Sequence, residues 1–110
     1  MVSDRQLKHW YDRYNREWFS SNLPLSTVIL WEPLVQADGE TCNVFEVDHG
    51  QFMVKLDPSI KGFPKVWKIT LLHELCHLAL WPKHPRSQHG KLFQDEMKRL
   101  ANENAFRNLW

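Results

Sequence analysis

Residues 65–81 read KVWKITLLHELCHLALW, and the rest of the chain is best understood from this stretch outward. Neither Gly nor Pro interrupts it, and Pro82 and Pro85 follow it, so the segment predicts a central helix from Lys65 to Trp81. Ile69, Leu71, Leu72, Leu75, Leu78, Ala79 and Leu80 occupy most of its circumference, which predicts burial on nearly every side. Into this apolar helix the chain inserts His73, Glu74 and His77. Residues four apart on a helix project from one face, so both imidazoles can reach one point with Glu74 beside it. Burying two imidazoles and a carboxylate without partners costs on the order of several kcal/mol. A metal ion meets that demand. The alternative is a pair of hydrogen-bonded core histidines, with Glu74 paired to Lys68 or Lys91.

Two helical histidines leave such an ion short of protein ligands, because a catalytic zinc site takes three and keeps the fourth position open. His89, twelve residues after His77, is the candidate third ligand. The loop after Pro82 is long enough to reverse direction, and His89 would open the next helix facing back, with Phe93 one turn on packing under the site and Gly90 leaving room for backbone approach. Cys42, His84 and His49 are its rivals: His84 stands between two prolines and His49 in a turn, both expected to be exposed. Cys76 points about 60° from His73 on the helical wheel and is expected to pack in the core.

Those residue types in that spacing point to hydrolysis. Zn2+ polarises a carbonyl and brings a bound water toward a pKa of ~7, and Glu74 would be the general base, adjacent to a ligand without being one. Because histidine must be neutral to bind a metal, activity should fall on the acid side. Arg86, His84, Tyr11 and Tyr14 are candidates for stabilising an oxyanion. The segment Phe52 to Leu56 is the expected strand that pairs with a peptide substrate.

Around the central helix the pattern is mixed. Ser3 with Gln6 forms a capping box, and Leu7, Trp10, Tyr11, Tyr14 and Trp18 recur at helical spacing, a stripe expected to be core, ended by Asn22-Leu23-Pro24. Extended segments follow at Thr27–Trp31, Cys42–Val47 and Phe52–Leu56. Asp38-Gly39 and Asp48-His49-Gly50 separate them, which makes a small meander the economical reading. A last helix is expected from about His89 to Phe106, with Phe93, Met97 and Leu100 on one face. The fold class is therefore α+β, with a small three-stranded antiparallel or mixed sheet, a single unit over residues 1–110 with no repeats or linkers.

Composition sets the limits. At 110 residues the chain suits one modest core, to which six Trp and six Phe give bulk. Cys42 and Cys76 are too few for a disulfide framework, and Met1 to Trp10 carries Asp4, Arg5 and Lys8 rather than an apolar secretory run, so a cytoplasmic, reducing setting is the expectation. No stretch has the uninterrupted apolar length of a membrane span. The formal net charge of +1 makes no general case for nucleic acid, although Lys83, His84 and Arg86 cluster beside the candidate site. Protein or peptide is the expected partner, and a monomer the expected state.

Three motifs, in order along most of the chain, carry a family resemblance. Tyr14-Asn15-Arg16-Glu17-Trp18-Phe19 with Leu23-Pro24, Thr70-Leu71-Leu72-His73-Glu74-Leu75-Cys76-His77, and His89-Gly90-Lys91-Leu92-Phe93 resemble the opening helix, active-site helix and third-ligand motif of SprT-like zinc metalloproteases. The resemblance implies a minimal zincin-like domain with His73, His77 and His89 as zinc ligands and Glu74 as the catalytic acid/base. Some relatives, the Spartan-type enzymes, are implicated in proteolysis of proteins crosslinked to DNA. The four-cysteine zinc ribbon and basic tail of the longer members have no counterpart in these residues, which leaves the peptidase expectation intact and weakens a DNA-linked one. Two other readings stand beside it: a different zinc amidohydrolase, deformylase-like, with Cys42 as third ligand, and a non-catalytic module whose zinc serves the fold.

Overall fold

Asp4 to Trp18 form the first helix, α1, and its start follows from two side chains: the Ser3 hydroxyl accepts from the Gln6 backbone N–H while the Gln6 carboxamide oxygen accepts from the Ser3 N–H. This reciprocal cap satisfies two of the N–H groups that a helix start leaves without partners. The computed structural model describes residues 3–24, 27–34, 42–48, 51–80 and 90–109, with backbone only for 42–48. Leu7, Tyr11 and Tyr14 of α1 are buried, with Trp10 and Trp18 packed against the core, as the stripe predicts. The helix ends four residues earlier than Asn22, because Ser20 and Ser21 take positive φ of 52° and 59°. Asn15 spans that exit: its backbone oxygen accepts from Phe19 and Ser21, and its buried side-chain oxygen accepts from Leu23 N–H at 3.0 Å.

Val28–Trp31 (β1), Cys42–Asp48 (β2) and Gln51–Leu56 (β3) form one sheet in the order β1-β3-β2. β2 and β3 are the antiparallel hairpin that the sequence predicts, with Asp48 opposite Gln51 and a register shift between Glu46 and Asp48. The meander expectation fails at β1, which runs parallel to β3 with Ile29 opposite Val54 and Trp31 opposite Leu56. Parallel strands cannot be joined by a tight turn, and β1 and β2 flank β3, so the chain has to cross β3 between them. Ile29, Trp31, Phe52, Val54 and Leu56 alternate with less buried neighbours, giving the sheet one apolar face.

Pro64–Leu80 form α2, within one residue of the predicted span at each end, with Pro64 as the first helical residue where its missing N–H has no cost. Trp67, Leu71, Leu72, Leu75, Cys76 and Leu78 are buried, and the helix packs on both β2 and β3. Trp67 meets Trp10 of α1 at 6.0 Å and Trp31 of β1 at 6.2 Å, both edge-on, so one aromatic cluster joins all three elements. Asp4 adds a polar tie, accepting from the Trp31 N–H at 2.8 Å.

The last helix, α3, covers Lys91–Asn102, shorter at both ends than expected. Gly90 is its N-cap, and Asn104 at φ 69° closes it: the Asn104 N–H bonds to Ala101 O and the Ala105 N–H to Leu100 O. These are the paired bonds of a Schellman ending, which asparagine tolerates in the left-handed region. Arg99 anchors α3 to the far end of the chain by donating to the Trp18 carbonyl at 2.8 Å, while pairing with Glu96 and Glu103. No helix among the described residues is long and apolar enough to cross a membrane.

Candidate metal centre

The central helix does what its spacing requires. One turn separates His73 from His77, their ring centroids lie 5.0 Å apart at 70°, and one ligand atom from each of His73, Glu74 and His77 falls within 4.8 Å of the others. Glu74 Oε1 stands 3.9 Å from His73 Nε2. The two side chains differ in exposure, about a third for His73 against 8% for Glu74, so the group opens to solvent on the histidine side and is closed behind the carboxylate. Burial of a carboxylate on a helix as apolar as α2 is expensive unless something of opposite charge or a donor is near.

The two lysines offered as alternative partners have contacts elsewhere. Lys91 pairs with Asp95 at 2.9 Å, and the Lys68 ammonium lies 4.1 Å from the centroid of the Trp10 ring. The donors themselves are informative: two imidazole nitrogens, with a carboxylate beside them, suit a borderline-soft divalent cation, whereas calcium asks for six to eight oxygens. These residues fit a transition-metal ion of the zinc type.

Helix α3 completes the described surroundings. Phe93, 5% exposed, stacks on His77 at 4.3 Å and 21°, and meets His73 at 4.8 Å and 64°. The sequence placed Phe93 under the site, and it lies against both imidazoles. Cys76 is fully buried, its Sγ 3.5 Å from Met97 Sδ, and burial pushes its thiol pKa well up, as expected of a packing residue and not of a ligand.

Other expectations are redirected. Helix α3 begins at Lys91 with Gly90 as its N-cap, and His89 lies outside the described residues, as do His49, Lys83, His84 and Arg86. Cys42 begins β2, with its side chain outside the description. Tyr11 is no oxyanion donor: its hydroxyl donates to Pro24 O at 2.6 Å and meets Thr27 Oγ1 at 3.1 Å inside the core. Tyr14 is likewise buried, beside Trp10. The segment Phe52–Leu56 cannot receive a substrate strand, because β3 is the central strand, bonded on both sides. Among the described residues β2 pairs on one side only, and it is also a strand on which α2 packs. Turn signals reveal the β2–β3 hairpin but not which of its strands forms the edge. Arg99, which holds α3 in place, had no signal in the sequence beyond its charge.

Comparison with known proteins agrees with this geometry. The model of the SprT-like family matches residues 7–108. Germ cell nuclear acidic protein of Drosophila melanogaster is 27% identical over 92 residues, which is 83% of this chain and 9% of that protein. The chain thus corresponds to a small part of that relative's length. No solved structure matches.

Proposed function

The chain belongs to the SprT-like family, and from that premise we propose that it is a zinc-dependent metalloprotease, zincin-like in fold, with His73, His77 and His89 as ligands and Glu74 as general base. The observation that carries the reading is the clustering of His73, Glu74 and His77 within 4.8 Å on a helix whose other residues are largely apolar core. When bound, zinc supplies a Lewis acid for the scissile carbonyl and makes a water nucleophilic near neutral pH.

Glu74 supplies the proton chemistry. One carboxylate oxygen takes the proton of the attacking water, and the same group returns it to the amine nitrogen as the carbon–nitrogen bond breaks. Its attachment to α2, one residue from His73, sets that oxygen beside the ligand rings, and its burial keeps bulk water from its rear. The outer edge of β2 would receive the substrate as an added strand, its N–H and C=O groups pairing with those of the peptide. Support for this comes from the one-sided pairing of β2 and its packing against α2.

Purified protein loaded with zinc and given an unfolded polypeptide tests the reading. Cleavage is expected in the wild type and lost in Glu74→Gln, with zinc content unchanged; full activity in that variant overturns it. Zinc stoichiometry of His89→Ala and Cys42→Ala identifies the third ligand, since only the true one loses the ion. Running the assay with and without single-stranded DNA assigns the substrate class: stimulation points to DNA-associated proteins, indifference to polypeptides in general.

A further inference from the structure

Three rings from two helices touch one another at the candidate centre. Centroid separations are 5.0 Å for His73–His77, 4.8 Å for His73–Phe93 and 4.3 Å for His77–Phe93, and the last pair is nearly parallel at 21°. The torsion that turns an imidazole about its Cβ–Cγ bond is broad and weakly restrained by the side chain itself. A ligand nitrogen therefore points at a fixed place only if a neighbour holds the ring plane. Hydrogen bonding to the outer nitrogen is one general means of doing so, and packing against a rigid flat group is another.

We propose that Phe93 is a positioning residue that presets the planes of both imidazoles for metal binding; this rests on the metalloprotease reading above. Turning His77 out of its present plane would break the stack, and turning His73 would disturb its edge-on contact with Phe93. Phe93 in turn cannot retreat. It is buried on α3, whose Leu100 is fully buried, whose Met97 meets Cys76 of α2, and whose Arg99 is bonded to the Trp18 carbonyl. Prepaid ordering of this kind raises affinity by lowering what binding must spend on fixing rotamers.

Zinc affinity of the whole chain, measured by competition with a chromophoric chelator, tests this independently of turnover. Phe93→Leu should weaken zinc binding by about 10-fold or more, the range seen when supports behind metal ligands are removed, while Phe93→Tyr, which keeps the ring, should stay close to wild type. Leu7→Ala, a fully buried α1 position, serves as the control for general loosening. Equal zinc affinity in Phe93→Leu and wild type overturns the proposal, and so does an equal loss in Leu7→Ala. Should Phe93→Leu not fold, metal-free wild type decides by NMR: contacts between the Phe93 and His77 ring protons, with a single His77 ring orientation, support it, and rotational averaging of that ring overturns it. A wild-type protein that binds no zinc rejects the metalloprotease reading itself, whereas zinc binding indifferent to Phe93 rejects only this inference.

Discussion

Helices α1 and α2 both bury polar atoms, and they dispose of them in opposite ways. In α1 two of the buried side chains end on the protein's own frame: the Tyr11 hydroxyl on Pro24 O and Thr27, the Asn15 carboxamide oxygen on the Leu23 N–H. In α2 the two imidazoles and the Glu74 carboxylate converge on one another within 4.8 Å. A buried polar group that closes a turn stabilises the fold; a set that converges on a point, with one side open, offers that point to something else. The contrast separates structure from chemistry in two helices packed on the same sheet, and each experiment below perturbs one side of it.

The largest effect is expected at Glu74. Glu74→Gln should lower the rate of peptide cleavage by about 10²- to 10⁴-fold, the usual worth of a positioned acid–base group, with zinc content and melting temperature close to wild type. Steady-state kinetics beside metal analysis checks both. A melting shift as large as that of an α1 core substitution would mean that Glu74 belongs to the frame after all.

Next comes the metal itself. Zinc supplied at 100 times its dissociation constant should raise stability by about 2.7 kcal/mol by mass action, and His77→Ala should abolish that increment in a denaturant titration. Asn15→Ala is the counterpart in α1. It strips the acceptor from a buried Leu23 N–H and should cost about 1–3 kcal/mol, which for a chain of this size is a fall of roughly 4–8 °C in melting temperature per kcal/mol. Zinc affinity should not change. If Asn15→Ala weakened zinc binding as His77→Ala does, the division between the two helices would not hold.

The same division governs how much could be read in the sequence. Helix α2 was legible to within a residue because its signals are local: an apolar run, Pro at each border, and a spacing that places His73 and His77 on one face. The capping box of α1 was legible for the same reason. Its exit was not, since Ser20 and Ser21 take left-handed conformations that serine does not announce. Asn104, by contrast, is a residue type that favours the left-handed cap, so the early end of α3 does have a signal in the chain. The parallel pairing of β1 with β3 is a contact between distant segments with no turn to mark it, and it decided that β2, and not Phe52–Leu56, lies at an edge. At the site, residues four apart on a helix were readable, whereas the contact of Phe93 with both rings and its stacking angle are products of how α3 docks.

The smallest effect concerns pH, and it belongs to the frame alone. Burial pushes the Tyr14 hydroxyl pKa up to about 12, with Arg13 opposing the shift and Glu17 adding to it. An unfolded chain releases that proton near the ordinary value of 10, so between these two values the native state holds more protons than the unfolded one, and stability falls as pH rises. The contribution is whole below pH 10 and is lost as pH passes through about 12. Tyr14→Phe removes it, and urea midpoints measured at pH 8, 10 and 11 (chosen as about two units below, at and about one unit above the ordinary tyrosine value) should decline less steeply than in wild type. Tyr11, whose pKa is also raised by burial, still titrates in that variant, so the alkaline loss should be blunted and not abolished. Zinc uptake at pH 8 should be the same in both proteins, because Tyr14 lies in the aromatic packing beside Trp10 and not in the ring triad of His73, His77 and Phe93.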